Sequence, residues 1–147
     1  MPVAIGSDHA GFPLKESLVE DLRAEGYHIE DFGVFSTESM DYPDIAREVA
    51  EAVASGRFQK AIIVCGTGIG VCITANKVKG VRAAVCSEAF SARMARQHNN
   101  ANVICVGARV VGAGLALDIV KTFIETEFEA GSRHERRVDK INALDNC

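Results

Sequence analysis

The fold is decided by the stretch AIIVCGTGIG at residues 61–70, in which a short apolar run leads directly into a glycine-rich turn. The run is rich in β-branched residues, as buried strands are, and helical spacing resumes after Gly70. Glycines at such a strand-to-helix turn let backbone N–H groups converge on one concavity. The stretch therefore predicts a buried strand, an anion-binding turn and a helix, in that order.

Similar short apolar runs occur at four other places along the chain. They are Val3–Gly6, Tyr27–Phe32, Arg82–Cys86 and Val103–Gly107, of which Tyr27–Phe32 is the weakest. Together with Ala61–Cys65 they predict five strands. Because the runs are apolar on both sides and alternate with helical patterns, we expect right-handed crossovers and a parallel sheet covered on both faces. The predicted fold is a doubly wound, Rossmann-like α/β fold that forms a single domain over residues 1–147.

Helical spacing of apolar residues fills the segments between the predicted strands. The patterns are Leu14/Leu18/Leu22, Ile45/Val49/Val53, the segment after Gly70, Phe90/Met94 with Ala95, and Leu115/Ile119/Phe123. A further, basic helix is predicted over about residues 132–144. No strand follows this tail helix, so we expect it to pack outside the sheet or on another subunit.

Composition excludes several classes of protein. The chain carries 16 basic and 20 acidic side chains, for a formal charge of −4, which disfavours a general nucleic-acid binder. Its apolar runs are far shorter than the roughly 20 residues that cross a bilayer, and we expect no secretory signal. The five cysteines show no zinc-type spacing. We therefore expect a cytoplasmic protein with reduced thiols, no membrane span, no metal site and a small molecule as its ligand.

The glycine-rich turn puts a thiol where ligands bind in open α/β sheets, beyond the carboxyl end of a strand. The N-terminus of the following helix favours a thiolate, so Cys65 is a candidate base or nucleophile, although such a cysteine can equally fill space. Val71 stands where a cysteine phosphatase needs arginine, and the lysine of a P-loop is missing. A dinucleotide-binding module that uses Gly66–Gly70 and Glu88 stays open as an alternative.

Two pairs of polar residues are further candidates. Asp8–His9 follows the first strand, where it suits acid–base work or hydroxyl binding, or merely caps the next helix. His98–Asn99 ends the fourth helix and is equally suited to capping it. From the residues alone, both interpretations of each pair stand.

The predicted tail helix carries a pair of arginines on one face. Arg133 and Arg137 are four residues apart, so together they either hold a phosphate or form a solvated basic face. We interpret His28 and His134 as surface residues. The other cysteines of the apolar segments are interpreted as small core residues: Cys72, Cys86 and Cys105.

An ordered set of motifs spans nearly the whole chain. In chain order it comprises Ser7-Asp8-His9-Ala10-Gly11, Asp41-Tyr42-Pro43, residues 65–70, Ala75-Asn76-Lys77, Gln97-His98-Asn99 and Gly131-Ser132-Arg133-His134-Glu135-Arg136-Arg137-Val138. The set resembles the ribose-5-phosphate isomerase B family, whose relatives also act on allose 6-phosphate or galactose 6-phosphate. The resemblance implies an aldose–ketose isomerase that interconverts ribose 5-phosphate and ribulose 5-phosphate, or a six-carbon sugar phosphate, without metal or organic cofactor.

The resemblance also implies roles in catalysis. Cys65 would be the base that moves a proton between C2 and C1 of the sugar, because Val71 replaces the glutamate that some members use instead. His98 would open the sugar ring. The enediolate oxygen would be held by Thr67 and by backbone N–H groups of the turn, at Gly66, Gly68, Ile69 and Gly70.

Substrate binding and assembly are implied in the same way. Asp8 would bind sugar hydroxyls and Asn99 would orient the sugar. The phosphate would be held by His9, Arg109, Arg133 and Arg137. Family members are typically dimers, sometimes tetramers, with active sites built from two subunits. A homodimer would therefore give the tail helix its place, packed on the partner subunit.

Overall fold

The computed structural model describes residues 1–146; Cys147, one of the cysteines expected to be a reduced thiol, lies outside the described residues. Its strands are β1 (Val3–Ser7), β2 (Ile29–Asp31), β3 (Lys60–Cys65), β4 (Ala83–Val85) and β5 (Val103–Gly107). All pairings are parallel, and the strand order is β2-β1-β3-β5-β4. The predicted five-stranded parallel sheet is confirmed, including its weakest strand.

Six helices accompany the sheet within residues 1–146. They are α1 (Phe12–Ala24), α2 (Tyr42–Ala54), α3 (Ile69–Ala75), α4 (Ala89–Gln97), α5 (Ala113–Glu125) and α6 (Arg133–Ala143), followed by a short 3₁₀ turn at Leu144–Asn146. The helices α1, α4 and α5 cover one face of the sheet, and α2 and α3 cover the other. None of these helices is both long and apolar enough to cross a bilayer.

The central strands are buried on both faces because their side chains alternate between two cores. Ile62 and Ile104 pack under α1, α4 and α5, whereas their neighbours Ile63 and Cys105 pack under α2 and α3. All four side chains are fully buried. This alternation follows from the two-residue period of a strand and explains why the runs are continuously apolar.

Three expectations about helix faces are wrong. Leu115, the first residue of the expected apolar pattern on α5, is exposed, whereas Ile119 and Phe123 of the same pattern are buried. The side chain of Phe90 on α4 is exposed; the helix instead buries Ala92, Ala95 and Arg96. Small alanines let α4 lie close to the sheet and α5, which a phenylalanine on the same face would prevent. His134 on α6 is not a surface residue, because together with Val138 it forms the buried face of that helix.

The edge strand β4 is closed by side chains of α3. The Asn76 amide accepts a hydrogen bond from the Ala83 N–H at 2.8 Å and donates one to the Ala83 carbonyl at 3.0 Å. The Cys72 thiol also contacts the Ala83 carbonyl oxygen at 3.5 Å. The outward backbone groups of Ala83 are therefore satisfied within the chain.

A buried ion pair fastens α1 to the other edge strand, β2. The fully buried Lys15 places its Nζ 2.8 and 2.7 Å from the two carboxylate oxygens of Asp31 and 3.0 Å from Glu16 Oε1. The same ammonium lies 5.3 Å from the ring centre of Phe12 and 4.9 Å from that of Phe35. Removing one partner of a buried pair leaves the other charge poorly solvated.

We predict that Lys15→Met lowers the free energy of unfolding by about 3 kcal/mol, because Asp31 then loses its counter-charge in a half-buried position. Urea denaturation followed by circular dichroism measures the loss. The matched control is Arg47→Met, which removes an exposed pair with Glu51 on α2 and should leave the midpoint nearly unchanged. Equal midpoints for the two variants would contradict an anchoring role for Lys15.

Candidate active site

The strand order reverses between β1 and β3, and a crevice opens there at the carboxyl ends of both strands. This is the position at which doubly wound sheets bind ligands. A cavity of about 500 Å³ occupies it. Most of the predicted site residues line this cavity: Asp8, His9, Cys65, Gly66, Thr67, Ile69, Gly70 and Arg109. The structure therefore brings together the residues that follow β1, β3 and β5.

The Cys65 side chain forms part of the cavity wall. It is 5% exposed, and its Sγ accepts a hydrogen bond from the Gly68 N–H at 3.1 Å. That contact needs the turn to fold back over the end of β3, which Gly68 permits through its φ of 78°. The donor points at the sulfur and stabilises negative charge there.

The remainder of the turn presents polar groups to the cavity. Thr67 is exposed, and its Oγ1 accepts a hydrogen bond from the Ile69 N–H at 3.2 Å, so its hydroxyl hydrogen is left for another acceptor. The first N–H groups of α3, including that of Gly70, have no partner inside the helix. This part of the cavity is suited to hold a negatively charged oxygen.

Asp8 and His9 line the same cavity as this turn. The Asp8 Oδ1 accepts the Gly11 N–H at 2.9 Å, which fixes the carboxylate without using its second oxygen. The His9 Nδ1 accepts the Met40 N–H at 3.2 Å. An imidazole that accepts through Nδ1 carries its proton on Nε2, so His9 is a hydrogen-bond donor toward a ligand.

Arg109 lies over the glycine turn. A Cβ added at Gly66 would come within 3.1 Å of its Nη1, so the guanidinium lies directly against this glycine. The Arg109 backbone is held by a hydrogen bond from its N–H to the Gly66 carbonyl at 2.9 Å. Among the described residues no carboxylate pairs with this exposed side chain, which leaves it able to bind an anion.

Sequence reasoning assigned no role to three residues that line the cavity: Ala10, Tyr42 and Ile73. The Tyr42 ring packs against Gly70, where an added Cβ would lie 2.5 Å from Cε1. The sequence contained a signal for the position of Tyr42, because Pro43 marks the start of a helix and Tyr42 is the first residue of α2. Such a helix starts at the same edge of the sheet as the cavity.

The other predicted site residues lie elsewhere in the chain. His98 and Asn99 follow α4, whose nine residues carry the chain about 13 Å back toward the amino ends of the strands. Asn99 lines a different cavity of about 410 Å³ there, beside Arg82 and Ile141. Within one chain, His98 and Asn99 are therefore not brought to Cys65.

The tail helix α6 packs beside His98. The His134 ring stacks on the His98 ring with centres 4.0 Å apart and planes 11° apart. Burial, the neighbouring His98 and then Arg133 lower the pKa of His134 below its ordinary value. Arg133 and Arg137 on the same helix are exposed. His98, Asn99 and the two arginines thus form a second polar group at the amino edge.

One cluster within residues 1–146 has metal-ligating side chains. His98, Glu129 and His134 place their ligand atoms within 4.8 Å of one another. The lone pairs of an imidazole lie in its ring plane, and the two rings are stacked nearly parallel. Their lone pairs run side by side instead of converging, so the rings would have to turn before they could share an ion.

The position of the glycine turn weakens the dinucleotide alternative. The turn follows β3 and not the first strand of the sheet. Glu88, the candidate for the ribose, caps α4, because its Oε2 accepts the Ser91 N–H at 2.9 Å.

We predict that Gly68→Ala costs more stability than Gly56→Ala. Both glycines have positive φ, at 78° and 83°, so both variants carry a conformational penalty of about 1 kcal/mol. Only at Gly68 does the added Cβ meet main chain, 2.9 Å from the Val106 carbonyl carbon; at Gly56 nothing lies within 4 Å. Urea denaturation compares the two, and equal losses would show that the turn does not pack tightly on β5.

Comparison with known proteins identifies the family. Residues 3–141 match the family model described as Ribose/Galactose Isomerase. Ribose-5-phosphate isomerase B of Escherichia coli strain K12 is 47% identical over 143 residues, which cover 97% of this chain and 95% of that protein. D-erythrulose-4-phosphate isomerase of Pectobacterium atrosepticum is 44% identical over 142 residues, covering 96% and 93%.

Solved structures agree with this match. Ribose-5-phosphate isomerase B of Clostridium thermocellum gives a TM-score of 0.96 at 51% identity, covering 99% of this chain and 98% of that one. The enzyme of the same name from Mycoplasma genitalium, solved with bound ribulose-5-phosphate, gives 0.92 at 41% identity, covering 99% and 96%. The predicted resemblance is confirmed in sequence and in fold, and the chain belongs to the ribose/galactose isomerase family.

Proposed function

We propose that this protein interconverts D-ribose 5-phosphate and D-ribulose 5-phosphate through an enediolate intermediate. The observation that carries the proposal is the cavity at the sheet reversal, which a thiol, a carboxylate, an imidazole and a guanidinium line together. An aldose–ketose shift needs a base, a site for an oxyanion and a grip on the phosphate. Each of these has a candidate in the cavity wall.

Cys65 is the proposed base. Its thiolate takes the proton from C2 of the open-chain aldose, and the C1 carbonyl oxygen becomes the enediolate oxygen. The proton of the C2 hydroxyl then moves to the C1 oxygen and the same thiol returns its proton to C1, so that C2 becomes the carbonyl carbon and C1 carries the hydroxyl. The Gly68 N–H, 3.1 Å from Sγ, supports the thiolate. The enediolate oxygen is proposed to bind the Thr67 hydroxyl and the N–H groups of the turn.

Asp8, His9 and Arg109 are the proposed binding groups on this side. The Asp8 oxygen that is free of the Gly11 contact accepts a sugar hydroxyl. His9 Nε2 and the Arg109 guanidinium donate to the phosphate, whose binding energy holds C1 and C2 against Cys65. Phosphate favours arginine because the planar guanidinium can donate two parallel hydrogen bonds.

The complete site is proposed to need two copies of the chain. Ring opening requires an acid–base group, and His98 is the proposed one, with Asn99 orienting the sugar and Arg133 and Arg137 completing the phosphate grip. These residues belong to the group at the amino edge, about 13 Å from the carboxyl edge along α4. A twofold arrangement would let the amino edge of one copy meet the cavity of the other.

Exposed apolar side chains beside the cavity support a homodimer or a higher assembly built from it, such as a tetramer. Ile69 and Ile73, one turn apart on α3, are 53% and 59% exposed, and Val85 is 45% exposed. Val85 lies against Gly68, so the three residues border the catalytic turn. A monomer would leave this apolar surface in water. The proposal is that the partner subunit covers it and that the tail helix contributes to the same interface.

The remaining features of the proposed enzyme follow from the resemblance. The whole chain, residues 1–147, acts as one isomerase domain, without metal or organic cofactor, and its partners are the sugar phosphate and a second copy. Cytoplasmic location is proposed on the free thiols of the four described cysteines. Neither nucleic acid nor membrane is proposed as a partner.

Other sugar phosphates are alternatives for the same chemistry. One relative with 44% identity is named D-erythrulose-4-phosphate isomerase, and the motif set is also similar to isomerases of allose 6-phosphate and galactose 6-phosphate. All of these substrates require the same base and oxyanion site. They differ in the distance between the phosphate and C1, so relative turnover on a panel of four sugars assigns the substrate.

We predict metal-free turnover of ribose 5-phosphate in EDTA and a loss of kcat by about 1,000-fold in Cys65→Ala, with KM little changed, because a base acts in the chemical step. The matched control is Cys86→Ala, which removes a buried thiol that does not line the cavity. Full activity of Cys65→Ala would exclude Cys65 as the base. No turnover of any of the four sugars would exclude the function.

Mixing two inactive variants tests the shared site. Cys65→Ala and His98→Asn damage opposite halves, so a mixed dimer has one intact site and one doubly damaged site. Random re-association of equal amounts should restore about a quarter of the parental activity. The mixture is refolded together, and each variant refolded alone serves as the control. Absence of recovery in a mixture that contains mixed dimers would contradict the two-subunit site.

A further inference from the structure

A cavity at the amino edge of the sheet, here called the cationic cavity, lies where β3 and β5 begin and has a volume of about 360 Å³. Its charged residues are Lys60, Arg82 and Arg96. Uncharged polar residues line it as well, namely Gln59, Asn100 and Asn102. Within residues 1–146 no carboxylate lines it. Cavities of this volume commonly hold small molecules, and the proposed reaction uses none of these residues.

Arg96 brings a buried charge to the cationic cavity, since the residue is only 6% exposed. Its Nε donates to the Thr126 carbonyl at 3.0 Å, and its Nη1 donates to the Ala101 carbonyl at 2.7 Å and to Asn100 Oδ1 at 2.9 Å. All three acceptors are uncharged, and these contacts do not use Nη2. Among the residues that the structure describes, no carboxylate forms an ion pair with this guanidinium. A charge that is desolvated without a counter-ion is unfavourable.

Lys60 and Arg82 are held by uncharged groups in the same manner. The Lys60 Nζ donates to the Ile124 carbonyl at 2.6 Å. Arg82 donates through Nε to the Asn100 carbonyl at 3.0 Å and through Nη1 to Asn142 Oδ1 at 3.0 Å, which again leaves Nη2 out of these contacts. Both residues are half-buried, and within the described part of the chain neither forms an ion pair.

The three cations of the cavity repel one another. Burial and then the charge of Arg96 lower the pKa of Lys60 to about 8. Burial also lowers the pKa of Arg96, and the charge of Arg82 adds to that effect. The carboxylates that act in the other direction are those of Glu127 and Asp145, and neither lines the cavity. An anion bound between the cations would relieve their repulsion.

We propose that the cationic cavity is a second binding site, for the phosphate group of a small molecule. A phosphate dianion balances more positive charge than a carboxylate does, and a guanidinium binds its oxygens through paired N–H donors. The Nη2 groups of Arg82 and Arg96 supply such donors, and Lys60 adds a compact charge. The neighbouring asparagine and glutamine amides are suited to the hydroxyl groups of a phosphate ester. The ligand is therefore inorganic phosphate or a phosphate monoester.

This site is separate from the catalytic cavity of the same chain. Lys60 begins β3 and Cys65 ends it, so about 17 Å of strand lies between them. Arg133 and Arg137, which are proposed to complete the catalytic phosphate grip, do not line the cationic cavity. A phosphate bound beside Lys60 is therefore additional to the phosphate of the proposed substrate.

Acetylation of Lys60 in the intact protein tests the site. The protein is treated with a trace of acetic anhydride at neutral pH, in inorganic phosphate or in potassium chloride of equal ionic strength, and mass spectrometry quantifies the label on each lysine. Bound phosphate covers the amine and raises its pKa, and a rise of about one unit lowers the reactive unprotonated fraction about tenfold. We expect phosphate to slow the acetylation of Lys60 by about that factor and to leave the exposed Lys79 unchanged.

Arginine variants locate the bound phosphate. In Arg82→Gln the same protection of Lys60 should need at least about tenfold more phosphate, because a charge-assisted hydrogen bond is lost. The matched control is Arg57→Gln, which removes an exposed arginine that pairs with Glu30 outside the cavity and should leave the protection unchanged. Circular dichroism of each variant checks that it folds.

Two results would overturn the proposal. One is equal acetylation of Lys60 in phosphate and in chloride, a measurement on the parent that needs no variant to fold. The other is protection that survives Arg82→Gln and disappears in Arg137→Gln, since the phosphate would then occupy the proposed catalytic grip.

Glycerol 3-phosphate, used as a second probe, identifies the kind of ligand. Protection of Lys60 at a lower concentration than inorganic phosphate requires assigns a phosphate ester, and the reverse order assigns free phosphate. Neither probe has a carbonyl group to isomerise, so the measurement does not depend on the proposed function. A chain that shows the protection but turns over none of the four sugars would exclude the isomerase and leave the second site in place.

Discussion

Three loops meet main chain to main chain at the carboxyl edge of the sheet, and every feature of the cavity depends on that contact. A Cβ at Gly11 would lie 2.4 Å from the Val64 carbonyl oxygen, and one at Gly107 would lie 2.6 Å from the main chain of Thr67. Gly68 is similarly placed against β5. Because no side chain separates these loops, the residues after β1, β3 and β5 converge on one small volume, and Asp8, Cys65 and Arg109 line the same cavity.

The direction of the helices keeps a second set of polar residues away from this cavity. In a parallel α/β fold each helix returns the chain to the amino edge, so a residue at a helix end cannot join residues at the ends of strands. His98 ends such a helix, and α6 begins beside it because Ser132 caps its first turn and His134 stacks on His98. One chain therefore carries two separate polar surfaces, one at each edge of the sheet.

Much of this arrangement was predictable from local pattern. The β-branched runs identified the strands, because a doubly buried strand leaves a continuous apolar signature, and the glycine turn identified the position of the thiol. The spacing of apolar residues predicted the wrong face of α4, because close packing decides which side chains fit against the sheet. This helix presents alanines to the sheet and leaves Phe90 exposed. His134 was missed because its burial comes from a residue 36 positions earlier, a contact that no spacing rule encodes. Tyr42 was missed because its motif carries only a family resemblance, whereas its place at the cavity follows from the start of α2 at the edge of the sheet.

The closure of β4 by α3 limits how copies of this protein can associate. An unprotected edge strand is a template on which another strand can add. Here the Asn76 amide already occupies the outward N–H and carbonyl groups of Ala83, the first residue of this three-residue strand. A strand that approached this edge would have to displace the Asn76 side chain before it could pair with Ala83. A neighbouring molecule would therefore meet side chains on this side of the protein, and within residues 1–146 the sheet ends at five strands.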